Sequence, residues 1–369
     1  MTRLILLILL FASNVAFATD NKIKAYLTLV NEAELLVCNE KLSEAIQHYD
    51  KAFSLKPSPL GKDLLNALLC AYQLDDTGRF KLYAAKLVKN GAFSNISNLR
   101  RYISKVPIGP NKEKYGKIWD DLSGKVVVGL DTVYRNQLIK LVQDDQDVRH
   151  YFVEKYHGDY NNGGKDSLNV FDSLNVIKLQ NLFATKGFPT ENKVGYDHNF
   201  PGNPPLYELI IRHDRSWTNR KTLDSVFYFA VINGDFPALT YGYWKDQSYG
   251  NTRDTVASYQ KESYSRFGTD DLIVIDDVLY VDRFSELDKS KINRARAAIY
   301  MNSLEEEAVK ARFQMKHKYY RFLDGTTFLQ WDGMSPEDLQ KVKDKSYNDS
   351  DISSFNVISN RKCEYGLEH

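Results

Sequence analysis

The chain has 369 residues, 43% of them hydrophobic and 26% charged, an ordinary globular composition with enough apolar material for a core. Its 49 basic residues are matched by 48 acidic ones, for a formal charge of +1. No basic stripe breaks that balance, which argues against nucleic acid or an anionic membrane surface as a partner.

The first 18 residues read as a signal peptide. Thr2-Arg3 gives a short positive start, Leu4 to Phe11 is unbroken apolar sequence, and Ala16 and Ala18 are small where a signal peptidase reads. The apolar run is too short for a permanent membrane helix, and Asp276-Asp277 interrupts the later apolar stretch from Leu272 to Val281. The expectation is an exported protein, periplasmic or secreted, with no transmembrane anchor once the chain is cut after Ala18. An oxidising compartment permits a disulfide, and three cysteines (Cys38, Cys70 and Cys363) leave at least one thiol over. Cys38 and Cys70 fall in predicted helices, where a bridge and buried free thiols are both open.

Residues 19–106 are predicted as a helical module. Ala33, Ala45, Tyr49, Ala52 and Pro57 resemble a tetratricopeptide repeat, with small residues where two helices approach, an aromatic beside them and a proline stop. Leu64 to Lys89 looks like a degenerate second copy, closed by Asn90-Gly91, with a further helix around Asn95 to Lys105 as a cap. Such hairpins suit either a groove for a peptide or protein partner or a small packing module. Residues 107–131 hold Pro107, Pro110 and several glycines, and read as a linker.

The second domain is predicted over 132–345. Its first helix, Thr132 to Tyr156, carries Leu138, Val142, Asp145, Arg149, Phe152 and Tyr156 on one face. Asp145 and Arg149 are an i,i+4 pair inside an apolar stripe, where an unpaired charge costs several kcal/mol. Gly158 to Lys165 is a turn-rich loop. It is not a calcium loop, because Gly163 and Val170 stand where oxygen ligands are required. Asp172 or Ser173 is the expected cap of the next helix, which carries Val176, Leu179, Leu182 and Phe183 and ends at Gly187-Phe188-Pro189. In the short helix after Pro205, Leu206, Leu209, Ile210 and His213 share a face, so His213 sides with the apolar residues. A helix through Leu223 to Val231 ends at Asn233-Gly234. Phe236 to Tyr249 is aromatic-rich and suits a core or stacking surface better than a sugar platform. Leu272–Ile275 and Val278–Val281 predict a β-hairpin, Lys289 to His317 one long helical stretch, and Ser335-Pro336 a last helix start. The tail, 346–369, is polar and expected to be poorly ordered. The fold class is therefore mainly α: tetratricopeptide-like hairpins, then a mostly helical domain with a small β-hairpin.

Several of these fragments together resemble a bacterial domain family of unknown function. They are Asp145-Gln146-Asp147-Val148-Arg149, Gly187-Phe188-Pro189, Arg212-His213, Tyr243-Trp244-Lys245-Asp246, Phe267-Gly268-Thr269 and Arg294-Ala295-Arg296, in order over residues 132–315. The chain departs from that pattern at Arg212 and Asp270, each in place of a glutamine, and at Gln247, in place of an arginine. The resemblance implies a fold and a site location rather than a reaction. It adds Asp246, Thr269, Asp270 and Arg296 as ligand-binding candidates.

As a catalytic set, His213 with Asp145 and Arg149 offers a carboxylate-oriented base and an anion holder. No Gly-x-Ser-x-Gly elbow, His-Glu-x-x-His helix or phosphate-cradling loop supplies a nucleophile or cofactor site, and no Cys/His spacing predicts a metal. The leading expectation is a binding or scaffolding protein of the cell envelope. A hydrolase-type enzyme using His213, Asp145 and Arg149 is the alternative.

Overall fold

The structure, a computed structural model, describes residues 21–90, 101–103, 106, 112–123, 129–157, 164–196, 205–213, 217–249, 267–269, 272–275, 278–323, 329–330, 335–347 and 351–352. The signal sequence, Cys363 and Asp270 lie outside these. The protein is mainly helical with one small sheet. Helix α1 (21–38) leads into α2 (Leu42–Leu55), α3 (Gly61–Gln73) and α4 (Thr77–Lys89). Ala33, Ala45 and Ala52 are all fully buried, which lets these backbones pack closely. Asp76 caps α4 by accepting from Arg79 N at 3.0 Å. Cys38 and Cys70 are both free thiols, and burial pushes the Cys70 thiol up to about 12.

The expected linker contains structure. Lys112–Ser123 forms α5, whose Tyr115 and Leu122 join the core of the preceding helices. Tyr115 packs edge-on against Phe80 at 4.6 Å, and its hydroxyl donates to Asp75 at 3.0 Å. The glycines and prolines around it masked a helix held by this aromatic contact.

A long helix, α6 (Thr132–Tyr156), is capped by Asp131, which accepts from Tyr134 N at 2.9 Å. It packs beside α7 (Gly164–Lys186). Asp172 caps nothing: α7 starts eight residues earlier and runs through it, because Leu168, Asp172, Val176, Leu179 and Phe183 form one buried stripe. Short α8 (Glu191–Val194) and α9 (Glu208–His213), then α10 (Trp217–Ile232) and α11 (Ala238–Tyr249), complete this half. Its core is aromatic, with Phe227 packed at once on Phe183, Phe188, Phe236 and Trp244.

The hairpin of β1 (Leu272–Ile275) and β2 (Val278–Asp282) closes with Ile275 opposite Val278. It is widened by β3 (Leu329–Gln330), parallel to β1, and β4 (Ser346–Tyr347), antiparallel to β2, in the order β3-β1-β2-β4. Between them lie α12 (Glu286–Ala297), α13 (Leu304–Lys316) and α14 (Pro336–Lys345). The long helical stretch thus breaks at 298–303. Tyr300 adopts φ 60°, and Ser303 and Glu306 form a reciprocal capping box that starts α13 afresh. The expected polar tail begins with β4, and Ile352 is buried, so its first residues belong to the fold.

The core is partitioned differently from the expected 19–106 and 132–345 modules. One cluster joins α1–α5 to Leu272, Leu279, Val281, Ala308, Tyr320 and Phe322. The other spans Tyr134 to Ile299 and holds the aromatic half. The chain's last third therefore returns to complete the core of its first. Asn66 grips one backbone unit of that return, donating to Arg321 O at 2.9 Å and accepting from Arg321 N at 2.8 Å.

Candidate functional site

Asp145 and Arg149 occupy successive turns of α6, Asp172 and Asn175 successive positions on the facing side of α7, and His213 the last residue of α9. Three helices thus deliver five polar side chains to one point. Asp145 Oδ2 lies 2.7 Å from His213 Nδ1, 2.9 Å from Gln146 Nε2 and 3.2 Å from Arg149 Nε. Asn175 Nδ2 donates to Asp145 Oδ1 at 3.2 Å. Arg149 Nη2 is ion-paired with Asp172, and Arg149 Nε lies 2.8 Å from His213 Nδ1. The predicted trio is brought together, joined by Asp172 and Asn175, which the sequence reading did not place there.

Burial orders these groups. The Asp145 and Asp172 side chains are only 1% and 7% exposed, whereas those of Arg149 and His213 are each 24% exposed. Among the described residues neither His213 Nε2 nor Arg149 Nη1 has a hydrogen-bond partner. The carboxylates form the floor and the two nitrogen-bearing tips form the accessible rim.

Electrostatics separates the two carboxyls. Burial pushes the Asp145 pKa upward, but the His213 hydrogen bond and the charges of His213 and Arg149 outweigh it and hold the group below its ordinary value. For Asp172 burial dominates, aided by the neighbouring Asp145 charge, and holds the pKa above its ordinary value despite Arg149. An ionised Asp145 selects the tautomer of His213. Nδ1 cannot donate to Asp145 and accept from Arg149 at once; with Nδ1–H donating to the Asp145 carboxylate, Nε2 is the nitrogen that carries the lone pair.

Asp145, Asp172 and His213 also offer donor atoms within 4.8 Å of one another, a set that suits a divalent metal. Arg149 already fills the cation's place, bonded to both carboxylates, and an ion on these donors has to displace it.

The other candidates lie apart from this set of contacts. Asp246, 3% exposed, accepts from Phe267 N at 3.0 Å, Thr269 N at 3.1 Å and Thr269 Oγ1 at 2.8 Å. Arg296, fully buried, donates to the carbonyls of Phe267 and Gly268 and pairs with Glu307. Asp246 and Arg296 clamp the 267–269 turn, Thr269 included, from two sides, and Arg296 also donates to Asn302 O. Expected as ligand contacts, they hold backbone.

The sequence reading missed a second polar cluster entirely. Glu34 on α1 pairs with Lys62 at 3.0 Å and Lys310 at 2.5 Å, and Lys62 also pairs with Asp63 at 2.9 Å. Tyr26 donates to Asp63 at 2.5 Å, and Asn31 bonds both Lys310 and Glu306. This buried ionic chain stitches α1 and α3 to α13. Its sequence signal was the acid at Glu307 and base at Lys310 interleaved with buried Leu304, Ala308 and Ala311. No family model matches the chain, nor does any curated protein or solved structure.

Proposed function

We propose that the chain is an exported binding protein that captures an acidic group, a carboxylate or a phosphate, on the rim formed by His213 and Arg149. The observation that carries this reading is the pair of tips, His213 Nε2 and Arg149 Nη1, unbonded among the described residues above two enclosed carboxylates. Arg149 Nη1 offers an acidic ligand an N–H donor on a fixed cation, and the His213 ring edge at Nε2 stands beside it as the second polar contact. The signal-like first 18 residues support export; intact-mass measurement of exported protein checks it, and a retained Met1 refutes it.

The test is calorimetric titration with inorganic phosphate and acetate. Saturable binding, lost in His213→Asn, is expected. Absence of binding, or binding that His213→Asn leaves unchanged, refutes it.

A hydrolase reading is favoured by the Asp145–His213 contact of 2.7 Å, which fixes the tautomer that makes Nε2 a general base toward water. Turnover of a carboxylic or phosphate ester by the wild type, abolished in His213→Asn, distinguishes it.

A further inference from the structure

Between α1, α3 and the 298–303 break lies a cavity of about 70 Å³, walled by Glu34, Lys62, Asp63 and Glu307 and by apolar Leu239 and Met301. At roughly 10–15 Å³ per water-sized group, it has room for about five such groups. Its charged lining is lopsided: Glu34, Asp63 and Glu307 face it against Lys62, beside the amides of Asn31 and Asn302. The cations that neutralise Glu34 and Glu307 from behind, Lys310 and Arg296, are fully buried and do not line it.

Two carboxylate oxygens on this wall are short of hydrogen bonds. Asp63 Oδ1 is enclosed and has no properly directed donor, although the Lys62 ammonium is 2.9 Å away. Glu307 gives one oxygen to Arg296, and its other oxygen has no partner among the described residues. An enclosed carboxylate oxygen without a donor, as at Asp63, is costly, the more so when charged. The cavity thus presents acceptors in excess, next to an apolar wall.

We infer that this cavity is a binding site for a small primary ammonium, whose three N–H bonds serve the Asp63 and Glu307 carboxylates while its short alkyl portion lies against Leu239 and Met301. A bare divalent ion fits less well: among the described residues only Asp145, Asp172 and His213 bring three donor atoms of this kind within 4.8 Å, so the cavity lacks a third ligating residue for a metal. An anion meets a wall of its own sign. A quaternary ammonium lacks the N–H groups the wall calls for. The shifts of the two carboxyls agree: burial holds both Asp63 and Glu307 above their ordinary values, as expected where negative charge lacks a full complement of donors.

The probe is methylammonium chloride, with tetramethylammonium chloride and sodium chloride at equal ionic strength as controls, on the full chain. Methylammonium should raise the melting temperature along a saturating curve, while both controls leave it unchanged. Glu307→Gln should weaken the response at least tenfold. Because that change also touches Arg296, Leu239→Phe provides a second variant that narrows the cavity through an apolar residue; it should keep the melting cooperative and abolish the response. A cavity filled only by water gives no methylammonium response, which overturns the inference. So does an equal response to tetramethylammonium, or a full response in folded Leu239→Phe.

Discussion

Replacing Arg149 with methionine removes the guanidinium and keeps most of its apolar stem, so the effect isolates the charge. Asp145 retains His213, Gln146 and Asn175 as partners. Asp172, with its side chain 7% exposed, loses the ion pair that faces it. Breaking a buried pair costs about 3–5 kcal/mol, and the 24% exposure of Arg149 reduces this. The expected loss is about 2–3 kcal/mol in equilibrium urea unfolding at pH 7. Asp172 already has a raised pKa, so its folded form holds a proton more tightly than its unfolded form. The penalty therefore shrinks as the pH falls and Asp172 is neutralised. Arg149→Met with Asp172→Asn should recover most of the loss, giving a coupling of about 1–2 kcal/mol between the two sites. Additive single losses, or a penalty that grows toward pH 5, refute the reasoning.

The same Arg149→Met variant frees the Asp145, Asp172 and His213 donors, so zinc should raise its melting temperature and leave that of the wild type unmoved. Asp282, pushed up to about 6 by burial, contributes its full stability below the unfolded carboxylate range and loses it as pH rises toward 6. Asp282→Asn should accordingly gain up to about 3 kcal/mol at pH 8 and almost nothing at about pH 3.5, read by urea unfolding at both. Ala45→Leu overpacks a fully buried helix contact and should cost about 1–3 kcal/mol; unchanged stability would show that this contact is loose. Gly61→Ala places a Cβ 2.2 Å from the Tyr196 ring, and thermal melting should fall by several degrees, since the enclosed ring has nowhere to go.

The Asp145–Arg149–His213 cluster was legible in the sequence because each residue interrupts an apolar stripe at helical spacing, and buried charges must find one another. Asp172 carries the same signal, four residues before Val176 and four after Leu168. It was concealed because aspartate before an apolar run also reads as a cap. The hairpin was legible from two apolar runs around Asp276-Asp277. The α12–α13 break was not, since its 297–301 segment has neither glycine nor proline; the stop is a tyrosine at positive φ, and only Ser303-x-x-Glu306 marks the restart. The Glu34–Lys62–Lys310 chain is hardest to read. Lysine and glutamate on helices ordinarily face water, and nothing local places Lys310 against a helix whose partner residue is 276 positions away.

That last separation has a consequence in time. A chain emerging from its N-terminus delivers Glu34, Asn66 and Cys70 early, but Lys310, Arg321 and Tyr320, which close over them, come last. The opening helices can form as they appear, yet their shared core stays open until nearly the whole polypeptide has been made. During that interval the intervening aromatic half can condense on its own residues. Premature termination anywhere before α13 leaves Glu34 with Lys62 but without Lys310, and leaves the core of α1–α5 uncovered, so shortened products should be recognised as unfinished and degraded rather than accumulate.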